Sequence, residues 1–487
     1  MPGAKINELL SFDIHHVASL IRARKISPVE LLEAALERIE ALNPELNAFI
    51  TVAVEQARDA ARKAEREILR KRYRGPLHGI PIALKDNIET KGLRTTAGSK
   101  ILGDFLPDAD ADVVRALRRS GAIIVGKTNL HEFAYGITTE NPHYGPTRNP
   151  WDLERVAGGS SGGSAVAVAT GMAFAALGTD TGGSIRIPAS LCGNVGLKPT
   201  YGRISCRGVI PLSRSLDHVG SLARSAEDAA LLLEVLSDSR RAFHFPFSTP
   251  ASSTRTSRRA AFKKITLGRP SEFFFDRVNE EVQSAIEAAM NLFEKAGARI
   301  VEISLPNAAK WGEAGTQIAL AEARRYHESQ GYYPTRAEDY GDDVRKRLEQ
   351  GATVRAIDYL QAMETRQRAA SEFDAAFGRA DVIIAPATPV AATRIGESMV
   401  NIRGEEETVR SAMVRLSRPT NLSGNPALSI PCGWTKNGLP IGLQLIGKRW
   451  DEARLLQIAD AAAEELSDVV AAGFKASRKF AANRLRD

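Results

Sequence analysis

The sequence predicts an α/β protein in which helices surround a large mixed β-sheet. Short apolar runs, typical of buried strands, alternate with longer segments whose apolar residues recur at helical spacing. The strand-like runs are IPIAL at 80–84, AIIV at 122–125, ITLGR at 265–269, ARIVEISL at 298–305, DVIIAP at 381–386, ALSIPC at 427–432 and IGLQLIG at 441–447. Helical segments lie between them, for example Glu280 to Gly297 and Ile357 to Phe377. Such alternation favours a layered α/β fold.

Several element boundaries can be predicted from local signals. Ser27 and Glu30 form a capping box with Pro28 at the first helical position, so we expect a helix to begin there. Gly121 follows the helical segment RALRRS and is expected to end that helix. Residues 237–263 are rich in Ser, Pro and Arg, and we interpret them as an exposed loop.

Composition and charge are those of an ordinary globular protein. Of the 487 residues, 43% are hydrophobic and 25% charged, so the chain can bury a large core. The net charge is +7, and basic residues are concentrated in Arg255–Lys264 and in the C-terminal residues 474–487. We interpret both as solvated segments, because neither has the interleaved basic and aromatic pattern of an RNA-binding surface. We therefore expect no nucleic-acid partner.

Cysteine usage and hydropathy bear on cellular location. The three cysteines are far apart, odd in number and without metal-ligand spacing, which favours a reducing compartment and no metal site. The N-terminus lacks an apolar run of the signal-peptide type, and the run Ala165–Gly178 is too short to span a bilayer. We expect a cytoplasmic protein with no membrane partner.

The string GAIIVGKT at 121–128 fits the phosphate-binding pattern G-x-x-x-x-G-K-[ST]. That loop requires a strand before its first glycine and a helix opening near its lysine. Here a helix precedes Gly121, and the residues between the two glycines are themselves the predicted strand. We therefore interpret the match as accidental.

The string GGSSG at 158–162 fits the nucleophile elbow of α/β-hydrolases, which would make Ser160 the nucleophile of a Ser-His-Asp enzyme. The preceding WDLERVA at 151–157 lacks strand-like alternation, and none of the downstream histidines has an obvious acidic partner in the sequence. This function stays a less favoured alternative.

Two glycine-serine segments and an upstream lysine together resemble the amidase signature family. They are GGSSGGS at 158–164, GTDTGGSIRIPA at 178–189 and PIALKDN at 81–87. The spacing also matches, since Lys85 and Ser160 are 75 residues apart and Ser160 and Ser184 are 24 apart. Similar flanking stretches are TNLHEFAYG, GPTRNPWDLERVAGG, NVGLKPTYGRIS, SLDHVGSLARS, NLSGNPALSIPCGW and GLPIGLQLIG.

The resemblance covers about residues 75–230 and 420–450 and thins over 235–415. It implies the amidase-signature fold, so we expect residues 1–487 to form a single domain with those two stretches as its catalytic core. It also implies a Ser-Ser-Lys triad. Ser184 would be the nucleophile that forms an acyl-enzyme, and Lys85 would be the base. Ser160, whose peptide bond to Gly159 would be cis, would relay protons between them.

A lysine can act as a base near neutral pH only if its environment favours the neutral amine. Its ordinary pKa is near 10.4, and lowering it by ~3 units costs about 4 kcal/mol, which the folded site must supply. Burial at the end of the IPIAL strand would act in that direction. The alternative interpretation makes Lys85 a structural partner of the neighbouring Asp86.

Further site residues follow from the same resemblance. The backbone of Thr181, Gly182 and Gly183 would form the oxyanion hole, and Ala134 would line the substrate pocket. Asp180 and Arg186, expected as a charge pair, and Ser161 would support the site without taking part in the chemistry. His131 and Cys192 are expected to be scaffold residues.

The leading functional expectation is a hydrolase that cleaves the carbon-nitrogen bond of a small linear carboxylic amide. It needs no metal or cofactor, and esters, carbamates and formation of a homodimer are left open. The alternative is the glutaminase subunit of a glutamyl-tRNA(Gln) or aspartyl-tRNA(Asn) amidotransferase, which releases ammonia from glutamine for a partner protein. Against it, residues 324–348 look diverged and no charged clamp for glutamine can be located. A non-catalytic scaffold is a third alternative, which the intact triad positions disfavour.

Overall fold

The computed structural model describes residues 8–237 and 262–482, and the side chains only as far as residue 472 within the last helix. In these residues a mixed sheet of eleven strands forms the centre, in the order β1-β3-β2-β8-β10-β9-β16-β17-β13-β11-β12. Its strands are β1 (Phe49–Val52), β2 (Pro81–Lys85), β3 (Ile123–Thr128), β8 (Ala175–Asp180), β9 (Val195–Lys198), β10 (His218–Ala223), β11 (Thr266–Pro270), β12 (Arg299–Ile303), β13 (Val382–Pro386), β16 (Ala427–Trp434) and β17 (Pro440–Gly447). The predicted large mixed sheet is therefore confirmed.

Among the described residues, three short two-stranded sheets lie outside the central one. They pair β4 (Glu140–Asn141) with β5 (Gly145–Pro146), β6 (Arg148–Asn149) with β7 (Asp152–Val156), and β14 (Met399–Ile402) with β15 (Glu405–Thr408). The strand β7 corrects the interpretation of residues 151–157 as lacking strand character. Its residues are mostly half-buried or exposed. It pairs with β6 and forms a bridge from Arg155 to Arg394, but it does not belong to the central sheet, so it does not lead from that sheet into Ser160 as a nucleophile elbow would require.

Helices cover the sheet. In chain order they are α1 (Ile14–Arg22), α2 (Pro28–Leu46), α3 (Val54–Leu69), α4 (Asp112–Ser120), α5 (Gly162–Ala169), α6 (Arg186–Cys192), α7 (Ala226–Leu236), α8 (Glu280–Ala296), α9 (Ala308–Ser329), α10 (Asp342–Gly351), α11 (Ala356–Ala376), α12 (Val409–Arg415), α13 (Arg418–Ser423) and α14 (Glu452–Ala482). In the part of the chain that the structure describes, no helix is both long and apolar enough to cross a membrane.

The predicted helix boundaries are present. The Ser27 hydroxyl accepts the backbone N–H of Val29, and the Glu30 carboxylate accepts the backbone N–H of Ser27, which completes the capping box of α2. Gly121 ends α4 with a φ of 83°, in the left-handed region where glycine is favoured. Strand β3 then follows, so the GAIIVGKT string contains a strand and does not form a phosphate-binding loop. The predicted loop at 237–263 lies almost entirely outside the described residues.

The strand β2 positions the lysine. All of its residues are buried, and Ile82 and Leu84 join one apolar cluster while Ala83 joins another on the opposite face of the sheet. Because side chains alternate along a strand, Lys85 lies on the face of Ala83, towards α5 and the segment that precedes it.

Candidate active site

Lys85 lies at the end of β2 and is entirely buried. Its Nζ donates to Ser160 Oγ at 2.7 Å and to Thr179 Oγ1 at 2.8 Å. Burial lowers the pKa of Lys85 to about 7, although the carboxylates of Asp180 and Asp217 act in the opposite direction. A substantial fraction of the amine is therefore neutral near pH 7, and its lone pair can then accept the Ser160 proton.

Ser160 lies in the glycine-rich segment between β7 and α5. The Gly159–Ser160 peptide bond is cis, as the resemblance implied. A Cβ built on Gly159 would lie 2.7 Å from Thr139 Oγ1 and 2.9 Å from the backbone of Ile137, so only glycine fits there. The Ser160 carbonyl accepts the His131 N–H at 3.2 Å, which fixes the segment against the loop before Ala134.

Ser184 lies in the loop that joins β8 to α6. Its carbonyl accepts the backbone N–H of Ser161 at 3.2 Å, so the two glycine-serine segments run side by side. The Ser184 side chain is nearly buried, with the whole residue 5% exposed. Lys85, Ser160 and Ser184, which are far apart in sequence, thus come from three neighbouring segments at one edge of the sheet.

The loop also presents backbone donors. Among the described residues, the N–H groups of Thr181, Gly182 and Ser184 have no protein acceptor. The Gly183 N–H, which was predicted for the oxyanion hole, instead donates to Asp180 Oδ1 at 2.7 Å and holds the loop. Its φ of 124° suits glycine, and a Cβ there would lie 2.6 Å from Ser417 Cβ.

Asp180 and Arg186 form the predicted buried charge pair. Arg186 donates to both carboxylate oxygens of Asp180, from Nε at 3.1 Å and from Nη2 at 3.0 Å. Its remaining donors bind Ser417 O, Thr420 Oγ1, Asn421 Oδ1 and Gln444 Oε1. Burial alone would raise the pKa of Asp180, but the Arg186 guanidinium holds it well below its ordinary value. The pair thus joins the loop that carries Ser184 to α13 and β17.

Sequence reasoning missed two residues, of which one binds the Lys85 amine and the other binds the Thr181 hydroxyl in the loop before Ser184. Thr179 holds the Lys85 amine, and its backbone is fixed by Ser161, whose Oγ donates to Thr179 O at 3.2 Å. Asp217 accepts the Thr181 hydroxyl at 2.6 Å and the N–H groups of Leu212 and Ser213. Burial raises the pKa of Asp217 to about 6.

The histidines of the described residues do not form a triad with serine. His218 is buried, with Nδ1 2.7 Å from Leu216 O, and burial and Lys198 keep its pKa well below the ordinary value. His131 Nε2 lies 2.8 Å from Asp343 Oδ2. In the part of the chain that the structure describes, no histidine ring is hydrogen-bonded to the hydroxyl of Ser160 or Ser184, whereas the Lys85 amine is hydrogen-bonded to the Ser160 hydroxyl. The Ser-His-Asp alternative therefore has no geometric support.

Comparison with known proteins identifies the family of the chain. The family model described as Amidase matches residues 30–456. The chain belongs to the amidase family. As a member it is a hydrolase of carbon-nitrogen bonds in linear amides, with the α/β fold that the sequence predicted.

Individual relatives of this amidase bear on the choice between the two functional expectations. A glutamyl-tRNA(Gln) amidotransferase subunit of Carboxydothermus hydrogenoformans is 40% identical over 482 residues, which cover 93% of this chain and 97% of the relative. A solved amidase structure has a TM-score of 0.85 and 37% identity, with 93% of this chain and all of that chain covered (100%). The solved glutamyl-tRNA(Gln) amidotransferase subunit from Thermotoga maritima has a TM-score of 0.75 and 35% identity, and the match covers 93% of this chain and 94% of that one. The sequence comparison thus favours the alternative, the amidotransferase subunit, over the free amidase.

Proposed function

We propose that Ser184 hydrolyses a small-molecule carboxamide through an acyl-enzyme, with Ser160 and Lys85 as the proton relay. The 2.7 Å contact between Lys85 Nζ and Ser160 Oγ in a closed site carries this proposal. Lys85, as the neutral amine, takes the Ser160 proton as Ser160 takes that of Ser184, and Ser184 Oγ attacks the carbonyl carbon.

The oxyanion of the tetrahedral intermediate then rests on the free backbone donors of Thr181, Gly182 and Ser184. Removing one such donor in other hydrolases costs about 3–4 kcal/mol of transition-state stabilisation. The proton on Lys85 returns through Ser160 to the leaving nitrogen, and the amine or ammonia departs. Water then enters, loses a proton to the same relay and adds to the acyl carbon; the ester bond to Ser184 breaks as the relay returns that proton to Ser184 Oγ. The chain's own residues suffice for each of these steps.

The relatives support a more specific role for this chemistry. The chain would act in the cytoplasm as the amide-hydrolysing subunit of an amidotransferase, since its relative at 40% identity carries the name of an amidotransferase subunit. A second candidate is a free amidase that works without partner chains, and the TM-score of 0.85 to the solved amidase favours it.

Labelling with a fluorophosphonate tests the catalytic proposal. Such a probe phosphonylates an activated serine, and mass spectrometry of the digested protein locates the adduct. We expect the adduct on Ser184 in the native chain and none in Ser184→Ala. An adduct on Ser160 in both proteins, or no adduct in the folded native chain, would refute the assignment.

Ammonia release from the purified chain separates the two candidates. A free amidase hydrolyses simple amides at full rate alone. An amidotransferase component hydrolyses them slowly alone and is accelerated when its partner proteins are added. Acceleration of glutamine hydrolysis by such partners supports the first candidate, and an unchanged high rate supports the second.

A further inference from the structure

Two arginines lie against Tyr135, directly after Ala134, the residue expected to line the pocket. The Cζ atoms of Arg347 and Arg410 lie 5.3 and 5.6 Å from the centre of the Tyr135 ring. Both guanidinium groups donate to the Tyr135 carbonyl, from Arg410 at 3.5 Å and from Arg347 at a shorter distance. The Tyr135 hydroxyl is buried and has no hydrogen-bond partner in the described residues.

A third arginine lies against the nucleophile loop. Arg418 begins α13 and is 7% exposed. A Cβ built on Gly182 would lie 3.1 Å from Arg418 Nε and 3.2 Å from Nη2, so the guanidinium packs on the backbone of that loop. Arg418 Nη1 donates to Thr316 Oγ1, while Nε is buried and has no acceptor in the described residues. Unused donors of a cation therefore lie beside the backbone that would hold the oxyanion.

The cluster has more positive than negative charge. Asp343 is the carboxylate that contacts it, and its Oδ2 is shared by Arg347 Nη2 and His131 Nε2, both at 2.8 Å. In the described residues no acidic side chain forms an ion pair with Arg410 or Arg418. Burial and the neighbouring arginines lower the pKa of Arg410 to about 9, and burial lowers that of Arg418 to about 10. Unpaired cations in such a place are costly unless an anion binds them.

We propose that Arg418 and Arg410 bind a carboxylate on the acyl part of the substrate, so that the preferred substrates are monoamides of dicarboxylic acids. This inference rests on the proposed amide hydrolysis at Ser184 and specifies its substrate class. Because it disfavours glutamine, it supports the second candidate of the proposed function, the free amidase. Arg347 is already paired and acts as a positioning residue for Tyr135. The carboxylate would accept from the free donors of Arg418 and from Arg410, with its amide carbonyl at Ser184.

The same charge distribution disfavours a zwitterion. Glutamine also carries a carboxylate, but its ammonium group would enter the field of the arginines. The nearby carboxylate, Asp343, is already paired with Arg347, and its Oδ2 also lies 2.8 Å from His131 Nε2. We therefore expect succinamate and glutaramate to be hydrolysed with a higher kcat/KM than glutamine.

Ammonia release by the full-length chain, measured with succinamate and with the neutral butyramide, tests the proposal. We expect the native enzyme to prefer succinamate. Arg418→Gln should lower kcat/KM for succinamate by about 10- to 100-fold, which corresponds to the loss of a hydrogen bond to a charged group, while kcat/KM for butyramide should change little. Arg368→Gln is the matched control, because Arg368 is 67% exposed on α11 and should change neither value.

If Arg418→Gln lowers kcat/KM equally for succinamate and butyramide, Arg418 has a structural role and the proposal is overturned. A native enzyme that does not prefer succinamate over butyramide, or that prefers glutamine, also overturns it. Because Arg418 is buried, Arg410→Gln provides a second variant at a half-buried position. Succinate should inhibit the native enzyme competitively and Arg410→Gln more weakly; unchanged inhibition contradicts the proposal.

Fluorophosphonate labelling distinguishes failure of the carboxylate site from failure of the proposed hydrolysis at Ser184. A chain that is labelled at Ser184 but lacks charge preference refutes only the carboxylate site, whereas an unlabelled, inactive chain refutes the proposed chemistry itself.

Discussion

Lys85 Nζ and Ser160 Oγ lie 2.7 Å apart, and both residues are entirely buried. This contact gives the site its chemical character, because a lysine surrounded by solvent would be protonated at neutral pH. Desolvation disfavours the ammonium form, while the nearby carboxylates limit the effect and keep the pKa of Lys85 near 7. On the proposed mechanism, this balance provides the neutral amine that accepts the Ser160 proton.

The first prediction concerns the two serines. Ser184→Ala removes the nucleophile and should abolish turnover, by about 10⁶-fold if the triad acts as a unit. Ser160→Ala breaks the relay but leaves the nucleophile, so we expect a loss of about 10²- to 10⁴-fold. Ammonia release gives kcat, and thermal unfolding checks the fold. A Ser329→Ala control at an exposed position should change nothing. Appreciable turnover by folded Ser184→Ala would contradict the assignment.

The second prediction concerns pH. The active form contains neutral Lys85, and its pKa is about 7. The kcat/KM for a neutral amide should therefore be low at acidic pH, rise through pH 7 and level off above it. Butyramide is a suitable substrate because it does not titrate in this range. Lys85→Arg should be inactive throughout, since a guanidinium stays protonated. A native profile that is flat from pH 5 to 9 would exclude lysine as the base.

The third prediction concerns Asp217. Its charge raises the pKa of Lys85, against the dominant effect of burial. Asp217→Asn removes that charge, so the midpoint of the pH profile should move to lower pH. The maximum rate should also fall, because one Asp217 oxygen accepts the Thr181 hydroxyl at 2.6 Å and the other accepts the N–H groups of Leu212 and Ser213, whereas asparagine has a single acceptor oxygen. A midpoint that stays in place would show that Asp217 acts on the loop alone.

How far the sequence predicts the site depends on the distance between partners along the chain. The apolar run before Lys85 and the glycine-rich segments around Ser160 and Ser184 indicate their own local structure, and their spacing matches the family. Asp217 lies in the matching stretch SLDHVGSLARS, but its role could not be predicted, because it meets Thr181 only when β10 pairs with β8 in the register His218↔Asp180. The strand β7 was missed because its residues are not buried in alternation.

The arginines illustrate the same limit. No charged clamp could be located in the sequence, yet Arg347, Arg410 and Arg418 come together around Tyr135 and Gly182. They belong to α10, α12 and α13, within or beside the stretch where the family resemblance is weak. Charged residues on helices are ordinarily solvated, so nothing in the sequence distinguished these three. The packing of those helices around Tyr135 and Gly182 places the three arginines next to few carboxylates, and this packing could not be predicted from the sequence.

The fourth prediction concerns stability. Arg186→Met removes one member of a buried pair and leaves the Asp180 carboxylate uncompensated, although Gly183, Ile185 and Asn421 still donate to it. Loss of one partner from such pairs costs about 3–5 kcal/mol. Urea unfolding should show that decrease in the free energy of unfolding. Arg368→Gln, which breaks an exposed pair with Glu364, should cost less than about 1 kcal/mol. Similar losses in both variants would mean that the buried network contributes no more than a surface pair.

The last prediction concerns Thr179, which accepts from Lys85 Nζ at 2.8 Å. Thr179→Val keeps the shape of the side chain but removes the acceptor, so the amine loses one of its two side-chain contacts. We expect kcat to fall by about 10-fold, consistent with roughly 1.5 kcal/mol for a bond to a charged group. The pH midpoint should also fall, because the hydroxyl favours the ammonium form. Thr179→Ser retains the hydroxyl and should recover both the rate and the midpoint. If Thr179→Ser is as impaired as Thr179→Val, packing of the methyl group matters and the hydrogen bond does not orient Lys85.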